Sequence, residues 1–495
     1  MHKPSDRTIT IIVFLLLAAL FAAIQFSFPS LAEYDGYYHI KYAYLLRTEG
    51  WIGDFPWLQS TTWSSHFADM HLLFHVALIP FTWGDLAFGA KLATVLFASA
   101  ALLTFFLLLR KTAAPHALFW TLFLFAASTS FLYRYSLLRA GPLSLFLLLL
   151  SFYWIIRGKH VRLLVTSAVY ALTYTAFPLV VVLASVFSAI RSIQERALRF
   201  EALLFSGGGV LLGLLVNPYF PDNVRMYYTQ MVRLPLSRGE VPAGTEWYPY
   251  DLSFLLGASI VVFIAYLATL LLLSIFDARL DRKTITMLVL SVFFLALTLF
   301  SRRHVEYFVP FTVLFCAYAC HPLWKAAPRE LRKPIGVLLW MVVLFFGGHN
   351  IHSVAEELAG HSRLYRYQGA AEWLEQNSQK GDIVFNADWD DFPGLFFFNT
   401  HNYYCTGMDP AFTYLLGGNL WNDYARITLG KIKNPYDIIR SDFRAAYVFS
   451  DTSHGPFLAN LNADPRFVQR YGDRHAQVYE LVPAAIEEEP SSSSP

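Results

Sequence analysis

The chain contains a series of long apolar runs separated by short segments that carry its charges, a pattern that favours a membrane fold. The first run extends from residue 9 to about residue 28, roughly the twenty residues that a helix needs to cross a bilayer. With 56% hydrophobic and only 15% charged residues among 495, the chain has more apolar surface than aqueous cores of this size can bury. The sequence therefore predicts an integral membrane protein.

Further apolar runs follow the first, which predicts a polytopic α-helical membrane protein with about eleven transmembrane helices. A cleaved signal peptide would have a shorter apolar run, so the first run is interpreted as a membrane anchor. The polar segment 173–175 and Pro178 separate two of the shorter runs. The further runs are 86–109, 115–133, 141–157, 162–176, 177–191, 201–216, 252–276, 284–300, 306–323 and 334–348.

Basic clusters between the runs predict the orientation of the chain. If the N-terminus is cytoplasmic, the clusters at 110–111, 157–162, 191–199, 279–283 and 325–333 all lie on the cytoplasmic side, as the positive-inside rule requires. The segments predicted on the outer face are the first outer loop 30–85, the turn 134–139, the loop 217–251, the turn 301–308 and everything after about residue 351.

The C-terminal part of the chain has a different character. We predict a transmembrane domain over 1–350, an extracytoplasmic α/β domain over 351–483, periplasmic in a Gram-negative cell, and a disordered tail over 484–495. Apolar runs there are short and alternate between strand-like and helical patterns. The strand-like runs are 382–385, 445–449 and 477–482, and one helical run is 370–376.

Two acidic residues, Glu33 and Asp35, directly follow the first apolar run, among tyrosines and His39. A carboxylate is costly inside a bilayer, so those that a membrane enzyme uses are expected in loops at the interface. In an extended loop, residues two apart point to the same side, where they could bind a cation or a substrate hydroxyl. The alternative is a pair of solvated loop acids.

Histidines form a second group in the first outer loop. On a helix, His71 and His75 would lie on one face, with Asp69 just before them, which is one arrangement for a metal pair. The alternative is an amphipathic helix whose polar residues line a cleft at the membrane surface.

Arginines on the predicted outer face form the third group: Arg134, Arg139, Arg302 and Arg303, with Glu306 nearby. Arginine is disfavoured on this side, and guanidinium groups bind phosphate oxygens well, so a lipid-linked phosphate is one explanation. The alternatives are snorkelling to lipid headgroups and, for Glu306, a simple ion pair.

The sequence AspGlyTyrTyrHis (35–39) after the first span resembles the first-loop acidic motif of oligosaccharyltransferase catalytic subunits, in the GT-C glycosyltransferase superfamily. TrpAspAspPheProGly (389–394) is similar in placement to their acceptor-recognition motif, which implies acceptor binding by Trp389, Asp390 and Asp391. The resemblance also implies a divalent cation, Mn²⁺ or Mg²⁺, at Asp35 and a polyprenyl phosphate or diphosphate donor. The turn 133–142 contains no carboxylate, where that family has its second acidic motif. We therefore favour a related lipid-phosphate-dependent transferase over a protein N-glycosylation enzyme.

The resulting hypothesis is an inverting transfer of a sugar or glycan to a glycan, lipid or protein acceptor on the outer membrane face. Asp35, with Glu33, would act as general base, and Arg302, Arg303 and Arg139 would stabilise the leaving phosphate. Further candidates for substrate binding are Glu306, His39, Asp69 and His71. The partners are then the polyprenyl-linked donor, the acceptor and membrane lipid, whereas the net charge of +2 argues against nucleic acid. Alternatives are a transporter or flippase of lipid-linked glycans, and a non-catalytic assembly protein.

Overall fold

A computed structural model describes residues 5–236, 240–241, 244–277, 279–326, 328–361, 366–417 and 419–483. The predicted tail 484–495 lies outside these residues. The chain divides into two compact units, which we call the helical unit and the sheet unit. The helical unit is Met1–Trp51, Asp69–Tyr228 and Gly244–Ser362, and the sheet unit is Ile52–Ala68, Thr229–Ala243 and Arg363–Pro495.

Helices predominate in the described residues. The first eleven are α1 (Asp6–Gln25), α2 (Tyr34–Thr48), α3 (Leu72–Leu78), α4 (Leu86–Lys111), α5 (Ala117–Ala127), α6 (Thr129–Tyr135), α7 (Gly141–Ile156), α8 (His160–Thr173), α9 (Pro178–Glu195), α10 (Glu201–Val216) and α11 (Asp222–Tyr228). They are followed by α12 (Leu234–Leu236), α13 (Leu252–Ala258), α14 (Ile260–Ile275), α15 (Arg282–Thr298), α16 (Val305–Ala326), α17 (Arg329–His361), α18 (Gln368–Asn377), α19 (Phe392–Phe398), α20 (Pro410–Tyr414), α21 (Leu420–Thr428), α22 (Tyr436–Ser441) and α23 (Gly455–Ala463).

Several helices have the length and composition of membrane spans. In the part of the chain that the structure describes, five helices are long and apolar enough to cross a membrane. They are α1, α4, α9, α17 and the segment Arg302–Trp324, which includes most of α16. Two bent pairs, α5 with α6 and α13 with α14, raise the number to seven if each pair is one span. Shorter apolar helices are found at Leu72–Phe81, Gly141–Ile156 and Glu201–Val216.

The two bent pairs correct the sequence-based interpretation, which predicted uninterrupted spans over 115–133 and 252–276. The first pair bends by 97° at Ser128 and the second by 81° at Ser259. Ser128 is extended, and its hydroxyl accepts a hydrogen bond from the Phe131 amide at 3.2 Å, so it begins a new helix. The buried hydroxyls of Ser128 and Ser259 are 2.8 Å apart. The two breaks therefore hydrogen-bond to each other, a contact that hydropathy does not reveal.

The predicted break between the runs 162–176 and 177–191 is present, because α8 ends at Thr173 and α9 begins at Pro178. Helix α10 then packs closely on α8. A Cβ at Gly209 would overlap the Leu164 carbonyl oxygen, and one at Gly213 would lie 2.5 Å from that of Ala168. Glycine is required at both positions because the two backbones approach so closely.

The sheet unit contains five strands, β1 (Ile383–Asn386), β2 (Tyr403–Tyr404), β3 (Tyr447–Asp451), β4 (Phe467–Gly472) and β5 (Ala476–Leu481). Their order is β2-β1-β3-β5-β4, with β1 parallel to β2 and β3, and β5 antiparallel to β3 and β4. The strand-like runs of the sequence correspond to β1, β3 and β5, whereas β2 and β4 were not predicted. Buried Phe385, Val448, Phe457 and Tyr479 belong to its hydrophobic core.

A segment of the predicted first outer loop, Ile52–Ala68, also joins the sheet unit. The Tyr404 amide donates a hydrogen bond to the Trp57 carbonyl at 2.8 Å, and the Gln59 amide donates to the Tyr404 carbonyl at 2.9 Å. Phe55 packs on Phe392 and Phe396. The remainder of the predicted loop 30–85 lies in the helical unit.

Candidate functional site

The first-loop acids lie at the beginning of helix α2, not in the extended loop that we expected. Glu33 is extended and precedes the helix, whereas Asp35 lies in its first turn. An acid in this position is stabilised by the positive end of the helix dipole. The backbone therefore does not place the two carboxylates side by side as an extended loop would. A third residue contacts both of them.

That residue is Arg139, in the turn between α6 and α7. Its Nε donates a hydrogen bond to Glu33 Oε2 at 2.7 Å, and its Nη2 donates to Asp35 Oδ2 at 3.0 Å. Its Nη1 donates to Glu246 Oε2. One guanidinium therefore binds three carboxylates, using the fixed fork geometry that lysine lacks.

Glu246 comes from the segment 217–251, which the sequence analysis predicted as an outer loop, and it was not among the residues predicted for the site. Its carboxylate also accepts a hydrogen bond from Arg303 Nη2 and lies 3.5 Å from Arg134 Nη1. The loop that carries it is held by its backbone, since Ser301 Oγ donates to the Glu246 carbonyl at 2.9 Å. The Arg302 amide donates to the Tyr248 carbonyl at 3.1 Å.

A second, more deeply buried ion pair adjoins these residues. Arg134 Nε donates to Glu306 Oε1 at 2.5 Å, and the two side chains are 7% and 4% exposed. Gly141, the first residue of α7, lies against the same carboxylate, because a Cβ there would be 2.5 Å from Glu306 Oε2. Glu306 therefore does form an ion pair, with Arg134 of the third group of the sequence analysis.

We call these residues the arginine–carboxylate cluster; its members are Glu33, Asp35, Arg134, Arg139, Glu246, Arg303 and Glu306. Arg303 stacks on Trp247, with its guanidinium carbon 3.8 Å from the ring centroid. Arg302 is different, since its Nε donates to the Pro249 carbonyl at 3.2 Å and its guanidinium lies over Tyr250. Of the four predicted arginines, the structure thus brings Arg134, Arg139 and Arg303 to the acids. Arg302 contacts the Pro249 carbonyl instead.

Three histidines of the predicted loop 30–85 form a separate cluster, which we call the histidine cluster: His39, His71 and His75. His71 precedes α3 and His75 lies one turn into it, as the spacing predicted, and α2 supplies His39. His39 Nδ1 and His75 Nε2 are 2.8 Å apart, and Asp69 Oδ2 is 2.7 Å from His75 Nδ1. Sequence reasoning placed His39 with Asp35 because they are neighbours in the sequence.

The proposed acceptor motif lies in the sheet unit, where it forms a turn after β1. Asp388 and Asp391 cap this turn reciprocally, and Asp391 is buried. Burial and the neighbouring Asp388 raise the pKa of Asp390 to about 7. Burial, followed by the neighbouring Asp390 and Asp388, raises the pKa of Asp391 well above its ordinary value. Trp389 is half-buried in this turn. Asp391 therefore has a structural role in addition to any in binding.

The residues around Asp35 do not fit the divalent cation that the resemblance implies. Mg²⁺ and Mn²⁺ prefer oxygen ligands such as those of Glu33, Asp35 and Glu246. Here the guanidinium of Arg139 lies among these oxygens and already supplies the positive charge. We therefore derive no step through a metal at Asp35.

Comparisons with known proteins gave matches only through structure. No protein-family model matches the sequence, and no curated protein matches it significantly. The Archaeoglobus fulgidus oligosaccharyltransferase in its apo form is similar, with a TM-score of 0.63 and 13% identity over 97% of this chain and 75% of that chain.

Two other solved structures are similar over nearly the whole chain. ArnT from Cupriavidus metallidurans, bound to undecaprenyl phosphate, has a TM-score of 0.61 and 12% identity over 96% of this chain and 98% of that chain. Mycobacterial arabinofuranosyltransferase AftD has a TM-score of 0.59 and 14% identity over 97% of this chain, which spans 40% of AftD. These neighbours are GT-C glycosyltransferases, and at such low identity the likeness concerns the fold. The chain thus has the fold of the GT-C glycosyltransferases.

Proposed function

We propose that this protein is an integral-membrane glycosyltransferase that moves a sugar or glycan from a polyprenyl-phosphate or polyprenyl-diphosphate donor to an acceptor on the outer membrane face. The fold supports the class of enzyme, and the undecaprenyl phosphate bound to ArnT supports the class of donor. The arginine–carboxylate cluster supplies groups of the type that such a transfer requires.

The observation that carries the proposal is the way Arg303 is held. Its Nη2 binds Glu246 and its guanidinium stacks on Trp247, yet its buried Nε has no hydrogen-bond partner among the described residues. An unpaired buried donor is costly, so it indicates a missing acceptor. A phosphate oxygen is well suited to this role because guanidinium groups form strong, directed hydrogen bonds with phosphate.

Asp35 is the best candidate for the general base in this proposal. Its side chain is 35% exposed, against 24% for Glu33, 19% for Glu246 and 4% for Glu306. Asp35 thus has the most accessible carboxylate of the cluster and would take the proton of the acceptor hydroxyl. Arg139 holds Asp35 and Glu33 in place, and Arg303 would stabilise the charge that develops on the leaving phosphate.

The remaining parts of the proposal concern topology and the acceptor. About eleven spans, a cytoplasmic N-terminus and an extracytoplasmic domain after residue 350 would place the cluster at the outer face. Trp389, Asp390 and Asp391 are proposed to contact the acceptor. The proposal places no divalent cation at Asp35, because Arg139 lies among the carboxylates there.

The test is a transfer assay with the purified chain in lipid nanodiscs. A panel of undecaprenyl phosphates, each with one radiolabelled sugar, serves as donors, and membrane extracts supply the acceptor. We expect label to leave the lipid for one donor, and Asp35→Asn to slow this by at least about 10²-fold. Glu49→Gln is the matched control, because Glu49 is an exposed carboxylate at the other end of α2.

Two results would contradict the proposal in different ways. Full activity of a folded Asp35→Asn variant would remove Asp35 as the base but leave the glycosyltransferase. Movement of intact lipid-linked glycan across a vesicle membrane, with no transfer from any donor, would replace the enzyme by the transporter alternative.

A further inference from the structure

The histidine cluster lies beside the arginine–carboxylate cluster along α2 and has no role in the proposed transfer. Asp35 and His39 are one helical turn apart on α2, so they lie on the same face of that helix. We propose that His39, His71 and His75 bind one Zn²⁺ ion, with Asp69 as the residue that orients the His75 ring. This site is independent of the proposed function.

The ligand atoms are close enough for a single ion. One ring nitrogen from each histidine lies within 4.8 Å of the other two. With zinc–nitrogen bonds of about 2.0–2.1 Å, two nitrogens on a tetrahedral ion are about 3.4 Å apart. His39 Nδ1 and His75 Nε2, at 2.8 Å, need only move slightly apart to accept the ion between them.

Asp69 has the contacts of a residue that supports a metal site. Its Oδ2 is 2.7 Å from His75 Nδ1, and its Oδ1 accepts a hydrogen bond from the His71 amide at 2.8 Å. The first contact places the His75 proton on Nδ1, which leaves the Nε2 lone pair facing His39. Histidines that bind metals commonly donate their other N–H to a carboxylate in this way.

The set of donor atoms also suits zinc. His39 and His75 are buried, and His71 is partly buried. Three nitrogen ligands favour Zn²⁺ over Mg²⁺ or Mn²⁺ and leave the fourth tetrahedral position for water.

The main alternative is a hydrogen-bonded chain without metal, in which His39 Nδ1–H donates to His75 Nε2 and His75 Nδ1–H donates to Asp69. Zinc binding would move the His39 proton from Nδ1 to Nε2, with no change in the charge of the ring. The ion would then connect α2, and with it Asp35, to α3. Metal content distinguishes the two arrangements without any measurement of activity.

The experiment uses the full chain, stripped of metal, loaded with one equivalent of Zn²⁺ and desalted. Mass spectrometry of the metal content is expected to give about one zinc per chain, and X-ray absorption to give only light ligands at about 2.0–2.1 Å. His71→Ala should retain less than a tenth of that zinc. His352→Ala is the control, because His352 is 73% exposed on α17. This variant should retain all of the zinc.

Asp69→Asn provides a second variant that keeps all three ligands. Its affinity for zinc should be about 10–100-fold weaker than that of the wild type. If His71→Ala does not fold, the wild type still distinguishes the zinc site from the hydrogen-bonded chain, because bound zinc should raise its melting temperature. A wild type that neither retains zinc nor gains stability from it would overturn the proposal in favour of the hydrogen-bonded chain. Equal zinc in His71→Ala and His352→Ala would overturn it as well.

Discussion

The Gly141→Ala substitution tests the geometry of the cluster at the point where α7 begins. A methyl group there would lie 2.5 Å from Glu306 Oε2 and 3.2 Å from its carboxyl carbon. A carboxylate with a free end would swing away at little cost. Glu306 has no such freedom, because Oε1 is bound to Arg134 Nε at 2.5 Å and both side chains are buried.

The expected cost follows from these contacts. To reach an ordinary van der Waals separation, the carboxylate must move by about 1 Å. Complete loss of one partner of a buried ion pair costs about 3–5 kcal/mol, and we take about half of this for a displaced pair. Alanine in place of glycine returns about 0.5–1 kcal/mol in helix propensity. The variant should therefore be about 0.5–2 kcal/mol less stable than the wild type.

Thermal unfolding in nanodiscs, followed by intrinsic fluorescence, measures this effect. Gly207→Ala is the matched control, since Gly207 lies in α10 and a Cβ there has no atom within 4 Å. It should leave the melting temperature unchanged or slightly raised. In a Glu306→Gln background the cost of the Gly141→Ala substitution should fall, because the pair is already weakened. If Gly141→Ala and Gly207→Ala had the same melting temperature, the tight contact with Glu306 would be refuted.

Three further predictions concern charges in the two units. Arg303→Ala should lower the free energy of unfolding by about 1–3 kcal/mol in the same assay, because it removes a partner of Glu246. Arg302→Ala should lower it by less than about 0.5 kcal/mol. Equal effects of the two substitutions would contradict the assignment of Arg303, and not Arg302, to the cluster. Glu246→Gln should lower stability by about 2–3 kcal/mol, because three guanidinium groups lose a common anchor. It should also weaken the binding of undecaprenyl phosphate, measured by native mass spectrometry, and unchanged binding would argue against this role. The pKa of Asp390 is raised to about 7, so this carboxyl binds its proton more tightly in the folded protein than in the unfolded chain. Asp390 therefore lowers the free energy of unfolding increasingly as the pH rises from about 4 through 7. Asp390→Asn should thus stabilise the protein more at pH 8 than at pH 5, and a melting-temperature difference that does not vary with pH would contradict this.

The helical fold was predictable where it depends on local properties. Apolar runs found α1, α4 and α17, and the turn residues around Pro178 found the break between α8 and α9. The bends at Ser128 and Ser259 were missed because a single serine changes mean hydropathy very little. The two bends are joined by a hydrogen bond between residues 131 positions apart in the sequence.

The candidate site was predictable in part for the same reason. Asp35 stood out because it directly follows the first apolar run, where a membrane enzyme is expected to place its carboxylates. Arg139 and Arg303 stood out because arginine is disfavoured on the predicted outer face. Glu246 did not stand out. The available signal was its position as an acid beside Trp247 in an aromatic segment predicted as an outer loop. Its importance comes from the arginines it contacts, and these are more than 50 residues away in the sequence.

The sequence by itself determined the membrane character of the protein, the order of its apolar helices, the α/β character of its C-terminal part and the first-loop motif that resembles GT-C enzymes. These follow from hydropathy, periodicity and short motifs, which are properties of neighbouring residues. Only the tertiary structure decided that Arg139 binds Glu33, Asp35 and Glu246, and that His39 joins His71 and His75. The physical reason is that ion pairs and metal sites depend on distances between side chains, and distant segments approach each other only when the helices pack.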